Sequence, residues 1–290
     1  AAIRALAEWK TPDALEDAAS FAQNAPSDRL KILSLRGFVR QLEQSFTIPF
    51  KTQLARLEEA QAWALRDEDK ALLAASIKAT QGLMAEKGFT PMFDGVSLKN
   101  WKGGGGWWEV KDGILQAQSS EEKPCKKNSQ LIFTGSQPAD FELRAEFKLS
   151  PSANSGIQLR ALDQEFGDSG YQADMNGGGN YVGFLYHPKQ HLVGERGAKV
   201  TIAADGKKSV DRFADAKELG DKVFKKDDWN EYTIIAKGPT MTLFVNGMKT
   251  CELTDHRPEM MPKRGFITLQ MHAGPPMKIQ YRNIRIKDLK

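Results

Sequence analysis

Three stretches of alternating sequence each carry two polar side chains, two residues apart, that could take part in chemistry. The pairs are Gln158 with Arg160, Gln172 with Asp174, and Gln270 with His272. Residues i and i+2 of a β-strand point to the same face, so three such strands in one sheet would bring these groups together. Planar amide, carboxylate and guanidinium groups pair well with adjacent sugar hydroxyls. The pattern therefore favours a carbohydrate site over the ordinary solvated face of an antiparallel sheet.

A sugar site also needs an aromatic ring against the C–H face of the sugar. Candidate platforms are Trp101, Trp107, Trp108, Tyr186 and Trp229. Trp107 and Trp108 are adjacent, so only one of them would face the site from a strand. The charged stretch 187–228 predicts a long loop, with one short helix at 214–219, that forms a wall over the sheet. From that loop Glu195 and Arg196 could reach a substrate.

Several familiar motifs are absent or incomplete. His187 and His191 have a spacing that could hold a metal on a helix, but Pro188 argues against a helix and predicts a loop without metal. The glycine run 103–106 lacks the Lys-Ser/Thr of a phosphate loop. The ExDxxE pattern of retaining β-glucanases and a Gly-x-Ser-x-Gly elbow are both missing. The paired carboxylates of ordinary glycoside hydrolysis thus have no obvious place.

The elements that would position these residues change in type at residue 88. Residues 1–87 show helical spacing and predict either the end of an α-solenoid array or a small bundle. From 88 to 290 the alternation has a period of two, and Asn246-Gly247 predicts a hairpin turn. Many short strands with little helix predict a β-sandwich or jelly roll. The predicted strands are 113–118, 141–149, 156–161, 171–175, 181–186, 231–237, 241–245, 266–272 and 278–287.

Composition excludes several classes of protein. The net charge is +4, and the basic residues are scattered rather than gathered into the stripe that a nucleic-acid binder shows. No apolar run reaches the ~20 residues that span a bilayer. Cys125 and Cys251 exclude a disulfide scaffold, while one bridge between them stays open. The chain begins with Ala and shows no signal peptide, so we expect a piece of a longer chain.

A series of motifs runs in a recognisable order from residue 89 to 290. They are FTPMFDGVSLKNW, WWEVKDGIL, ADFELRAEFKLS, NSGIQLR, GYQADM, DDWNEYTI and GFITLQMHAGPPMKIQYRNIRIKDL. This order resembles the 3-keto-disaccharide hydrolase domain family. The resemblance implies a mainly β, concanavalin A-like jelly-roll sandwich, and HEAT-like helical repeats before it at 1–87. Many members have Tyr-Glu-x-Gln where this chain has Tyr171-Gln172-Ala173-Asp174, which indicates a distinct subgroup.

The resemblance also implies cleavage of glycosides oxidised at C3. A C3 ketone acidifies the C2 hydrogen, so a base can remove it, the C1 oxygen leaves, and water addition completes a net hydrolysis. This route needs a base, a group that stabilises the enolate, and an acid. We assign the base role to Asp174 or His272 and enolate stabilisation to Arg160. Gln172 and Gln270 would orient hydroxyl groups.

The remaining expectations complete this hypothesis. Further substrate contacts are assigned to Gln158, Tyr186, Trp107, Glu195 and Arg196. A divalent metal ion held by Asp174 and His272 is an alternative electrophile. No dinucleotide-binding unit is visible, so a separate sugar 3-dehydrogenase would make the ketone, and we expect a periplasmic or extracellular location. Two rival interpretations are a non-catalytic lectin-like module and a protein-interaction scaffold with a merely solvated face.

Overall fold

The computed structural model describes residues 5, 12–44, 48, 50–84, 88–162 and 169–289. The chain divides into two compact units, Ala1–Lys87 and Gly88–Lys290. Among the described residues, no helix is both long enough and apolar enough to cross a membrane.

The first unit is built from helices. In chain order they are a 3₁₀ turn (Pro12–Ala14), α1 (Leu15–Asn24), α2 (Asp28–Gln44), α3 (Phe50–Ala60), a second 3₁₀ turn (Gln61–Trp63) and α4 (Asp67–Met84). Their apolar faces form a core of their own that includes Leu35, Phe38 and Leu73. The predicted helical segment is confirmed, whereas its relation to HEAT-like repeats stays a prediction.

The second unit is a sandwich of two β-sheets. Its strands are β1 (Thr90–Pro91), β2 (Trp101–Gly103), β3 (Trp108–Lys111), β4 (Ile114–Gln118), β5 (Ser129–Phe133), β6 (Phe141–Leu149), β7 (Asn154–Ala161), β8 (Tyr171–Asn176), β9 (Leu185–His187), β10 (His191–Gly194), β11 (Ala198–Ile202), β12 (Lys208–Arg212), β13 (Asn230–Lys237), β14 (Thr240–Val245), β15 (Met248–Asp255), β16 (Phe266–Met271) and β17 (Lys278–Asp288). One helix, α5 (Ala216–Val223), precedes β13. A 3₁₀ turn, Gly104–Gly106, follows β2.

The first sheet has the order β12-β11-β15-β14-β13-β6-β17-β4-β3, with β1 beside β17, and the second has the order β10-β9-β8-β7-β16-β5-β2. The chain passes repeatedly between them, since β4 and β6 lie in the first sheet and β5 and β7 in the second. Alternate residues of β6, from Phe141 to Leu149, are buried. They face the other sheet across a shared core. The predicted mainly β sandwich with a helical segment before it is confirmed.

Within 187–228 the predicted short helix is confirmed by α5, whereas the prediction that the rest is a long loop is wrong. This stretch contains β10, β11, β12 and α5. β11 pairs in parallel with β15, so Ala198 lies opposite Cys251. Parallel strands need partners distant in sequence, which local patterns do not reveal. The predicted strand 181–186 is also too long at its start, because Asn176 accepts a hydrogen bond from the Tyr181 amide in a turn before β9.

The two cysteines lie in separate parts of this fold. Cys125 and Cys251 are both buried and both carry free thiols. The bridge that the sequence left open is therefore not formed. Burial raises the pKa of both thiols, which keeps them protonated and poorly reactive at neutral pH.

Candidate functional site

A cleft of about 410 Å³ opens on the outer face of the second sheet. Its floor comes from β5, β7, β8 and β16, and one wall comes from the β9–β10 hairpin. The lining residues are Asn128, Gln130, Asn154, Gln158, Gln172, Asp174, Tyr181, Tyr186, Pro188, His191, Leu192, Gln270 and His272. Six predicted site residues thus share one cleft: Gln158, Gln172, Asp174, Tyr186, Gln270 and His272.

The strand register explains why these residues meet. On β8, Tyr171 and Ala173 point into the core, so the intervening residues point outward. Gln172 lies opposite Gln158 on β7, which lies opposite Thr268 on β16. Cross-strand neighbours on one face are about 5 Å apart. The polar pairs therefore form adjacent rows rather than separate patches.

Asp174 is the acidic group of the cleft. Only 7% of its surface is exposed, and this burial raises the pKa of its carboxyl to about 7. Two hydrogen bonds oppose the shift: Gln172 Nε2 lies 3.2 Å and the Met175 amide 3.0 Å from Oδ1. A carboxyl group that titrates near neutral pH is suited to accept a proton from a substrate.

Amide side chains around Asp174 are held in a network. Gln172 Nε2 donates to Asp174 Oδ1 and also lies 3.4 Å from Gln270 Oε1. Since the Oε1 atom of Gln270 accepts from Gln172, its NH₂ group is left to donate elsewhere. On the same strand as Gln270, the Thr268 hydroxyl donates to Gln130 Oε1 of the neighbouring strand β5 at 2.7 Å. The floor is thus a set of oriented donors and acceptors.

His272 follows directly after β16 at the edge of the same floor. Its Nδ1 atom lies 2.5 Å from the carbonyl oxygen of Ala273. A carbonyl can only accept, so the ring donates from Nδ1 and the neutral imidazole has an acceptor at Nε2. The Ala273 amide donates to Asn128 Oδ1 at 2.7 Å, which ties this corner to the start of β5. His272 can therefore take up or release a proton through Nε2.

Arg160 does not join the cleft, and its predicted place beside Gln158 is wrong. Its φ of 54° is left-handed, so the alternation of β7 breaks at this position. The side chain is 1% exposed. Its guanidinium donates to the carbonyl oxygens of Ala139, Gly238 and Pro262 and pairs with Asp140 at 3.2 Å. Arg160 thus ties loops together, and no role in stabilising an enolate follows from its position.

Three further predicted contacts also lie outside the lining of the cleft. Arg196 is buried and donates to the carbonyl oxygens of Ala216, Gly179 and Val182. Glu195 forms ion pairs with Lys208 and Arg212. Trp107 packs against the sandwich core, and of the candidate platforms only Tyr186 is a lining residue. Buried guanidinium groups here donate hydrogen bonds to loop carbonyl oxygens. The charge pattern of a sequence does not distinguish such structural arginines from arginines that contact a ligand.

Several lining residues were not predicted from the sequence. Asn128 and Gln130 flank the start of β5, a strand that was not predicted, although the same two-residue spacing marks them. Asn154 begins β7 opposite Asn176, two residues before the start of the predicted strand 156–161. His191 was placed in a loop, whereas it lies opposite His187 in the β9–β10 hairpin.

The metal hypothesis finds limited support in the donor set. Among the described residues, no three His, Cys, Asp or Glu side chains are grouped so that they could hold a metal ion. Asp174 and His272 are both lining residues, but their neighbours on the floor are amides. The described cleft does not present the three or four ligands typical of a zinc site.

Comparisons with known proteins place this fold in a family. The model of the 3-keto-alpha-glucoside-1,2-lyase-like domain matches residues 88–287. Similar solved structures include two candidate glycosyl hydrolases from Parabacteroides distasonis. The first is 17% identical with a TM-score of 0.47, covering 78% of this chain and 99% of its own. The second is 22% identical with a TM-score of 0.48, covering 69% and 99%.

A carbohydrate-binding module from Bacillus subtilis is also similar, at 11% identity and a TM-score of 0.43, covering 65% of this chain and 96% of its own. These structural likenesses are distant, and no functional argument rests on them. Comparison with curated proteins gives no match. Because the family match covers more than half of the chain, this protein belongs to the family of 3-keto-alpha-glucoside-1,2-lyase-like domains, and its second unit is a carbohydrate-related domain.

Proposed function

We propose that the second unit cleaves the glycosidic bond of 3-keto-glycosides by elimination across C1 and C2, followed by hydration. One observation carries this proposal: Asp174 is a buried carboxyl group, with a pKa of about 7, on the floor of a cleft lined by amides. A single carboxylate among the described lining residues fits proton abstraction beside a ketone. It does not fit hydrolysis by two carboxylates that flank the bond.

In the first step, the Asp174 carboxylate takes the proton from C2. The electrons of the broken C–H bond move towards C3, and negative charge develops on the C3 oxygen. The NH₂ group of Gln270 is the proposed donor to that oxygen, since its Oε1 is already engaged with Gln172. A fixed donor aimed at developing charge lowers the barrier.

In the second step, the C3 carbonyl re-forms, a C1–C2 double bond appears, and the C1–O bond breaks. Protonated His272 gives its Nε2 proton to the departing oxygen. Water then adds across the double bond, with its hydroxyl at C1 and a proton at C2, and the net result is hydrolysis. The ketone is the product of a prior oxidation, so a separate sugar 3-dehydrogenase must supply the substrate.

The test is turnover of a 3-keto-disaccharide in D₂O, with the unoxidised disaccharide as a parallel sample. We expect cleavage of the keto sugar only, with deuterium at C2. Asp174→Asn should lower both cleavage and exchange by about 10²–10⁴-fold, while Asp211→Asn, a change on the exposed edge strand β12, should alter neither. Unchanged turnover in Asp174→Asn and His272→Ala would refute the assignment. Binding of the unoxidised sugar without any turnover would instead support the lectin-like alternative.

A further inference from the structure

The wall of the cleft differs in chemistry from its floor. The wall residues are Tyr181, Tyr186, Pro188, His191 and Leu192, which we call the hairpin wall. Tyr181 and Leu192 are 40% and 37% exposed, so they present apolar surface to whatever enters. The rings of Tyr186 and His191 meet edge to face with centroids 6.0 Å apart. Exposed apolar side chains gathered at a polar cleft mark a ligand contact.

Hydrogen bonds within the β9–β10 turn and to Arg257 hold the hairpin wall in place. The Lys189 amide donates to His187 Nδ1 at 3.1 Å, and the Gln190 amide donates to the His187 carbonyl at 3.0 Å. Gln190 Oε1 accepts from Arg257 at 2.9 Å. His187 itself is buried against the ring of Tyr171. The wall is therefore a preformed surface, which lowers the entropic cost of binding.

The charge of the cleft limits what can bind. Among the described lining residues, the ionisable groups are Asp174, two tyrosines and two histidines, with no lysine or arginine. A carboxylate, sulfate or phosphate on a ligand would find no permanent cation there and would face Asp174. Burying an unpaired charge is costly, so the lining favours an uncharged ligand.

The position of Asp174 relates the wall to the reaction. Asp174 lies on β8, and β8 is the strand next to β9, so this carboxyl group stands where the amide floor meets the wall. A sugar whose C2 reaches Asp174 has C1 one bond away, at the same boundary. With its ring on the floor, such a sugar can extend its C1 substituent along the wall, because Asp174 and the wall residues line the same cleft.

We propose that the hairpin wall binds the leaving group and selects uncharged glycosides with an aromatic aglycone. The term "leaving group" rests on the proposed function, but the aromatic preference does not. Pro188 and Leu192 have no side-chain hydrogen-bonding groups, so hydroxyls of a second sugar would lose their partners against them. An aryl ring would bury only apolar surface and could meet Tyr186 edge to face.

The first test measures binding without turnover. Unoxidised phenyl and methyl glucosides are titrated into the whole protein and followed by calorimetry. We expect the phenyl glucoside to bind about tenfold more tightly, and Leu192→Ser to weaken it about fivefold with no effect on the methyl glucoside. Val210→Ser is the matched control, because Val210 is 39% exposed on β12, away from the cleft. Equal affinity for the two glucosides, or indifference to Leu192→Ser, would overturn the proposal.

The second test separates charge from shape. A carboxyphenyl glucoside should bind at least about tenfold more weakly than the phenyl glucoside, and Leu192→Arg should reverse that order. Equal binding of the two would refute selection against charge. Cleavage of phenyl and methyl 3-keto-glucosides then distinguishes the two proposals. If the protein prefers aryl glucosides in binding but cleaves neither keto sugar, the wall proposal stands and the proposed function is refuted. If it cleaves the phenyl and methyl 3-keto-glucosides with equal efficiency, the proposed function stands and the wall proposal is refuted.

Discussion

Gly156 leaves open the space that the side chain of Gln172 occupies. A Cβ atom at Gly156 would stand 2.3 Å from Cδ and 2.5 Å from Nε2 of Gln172. Glycine is needed here for close approach rather than for a left-handed backbone. Gly156 is also the strand partner of Asp174. This gap in the sheet lets one amide reach both Asp174 and Gln270.

We therefore expect Gly156→Ala to lower kcat/KM for a 3-keto-glycoside at least about tenfold while the fold persists. The added methyl group displaces Gln172, whose hydrogen bond lowers the pKa of Asp174. The acid limb of the pH profile should consequently move to higher pH. The measurement is kcat/KM against pH, with thermal unfolding as a check on folding. Gly178→Ala is the control, since a Cβ there meets nothing closer than 3.4 Å.

A double-mutant cycle shows whether Gly156 acts through Gln172. If it does, the variant that combines Gly156→Ala with Gln172→Ala should be no slower than Gln172→Ala alone. If the two single substitutions instead lower kcat/KM by factors that multiply in the double variant, Gly156 acts by a route other than Gln172.

The pH dependence of catalysis should report Asp174. The base must be ionised to take the C2 proton, so the acid limb of kcat/KM should rise with pH through an apparent pKa of about 7. Asp174→Asn should remove that limb and lower kcat by about 10²–10⁴-fold, the usual contribution of a general base. A profile that keeps its limb in Asp174→Asn would transfer the base role to another group, with His272 the next to test.

Burial of the same carboxyl group should also make folding stability depend on pH. Its pKa rises from the usual 3.8 to about 7 on folding, so between these values the folded protein holds a proton that the unfolded chain has lost. This contribution to stability is complete below pH 4 and is lost as pH rises through 7. Asp174→Asn should therefore be more stable than the wild type at pH 8, by up to about 4 kcal/mol. Urea unfolding at pH 4 and pH 8 measures the difference in the free energy of unfolding between the wild type and Asp174→Asn. An equal difference at both pH values would contradict the link between the Asp174 pKa and stability.

Arg160 should contribute to stability and leave catalysis unchanged. Arg160→Met removes the hydrogen bonds to three loop carbonyl oxygens and the ion pair with Asp140, at a cost of about 3 kcal/mol in the free energy of unfolding. The folded fraction should keep its kcat/KM, because the guanidinium is not in the cleft. Arg264→Met, a change at an exposed arginine, serves as the control. Loss of activity at unchanged stability would restore the catalytic role that the sequence predicted.

The sequence was sufficient to predict most of the polar floor. Alternation with a period of two fixes the face to which each side chain of a strand points, so the spacing alone predicted that Gln172 and Asp174 share one face of their strand and that Gln270 points outward from another. The motif order also predicted the family, which the match over residues 88–287 confirms. The HEAT-like repeats, the extracytoplasmic location and the dehydrogenase partner stay predictions.

What the amino-acid sequence determined by itself is thus the sandwich and the outward polar pairs, because both depend on local alternation. Only the tertiary structure decided which pairs meet. Arg160 lies outside the site because its φ is left-handed near the end of its strand, and three residues of the hairpin wall, Pro188, His191 and Leu192, come from a stretch that was predicted as loop. The pKa of Asp174 and the gap at Gly156 likewise depend on neighbours that only strand pairing brings close, and no local pattern contains that information.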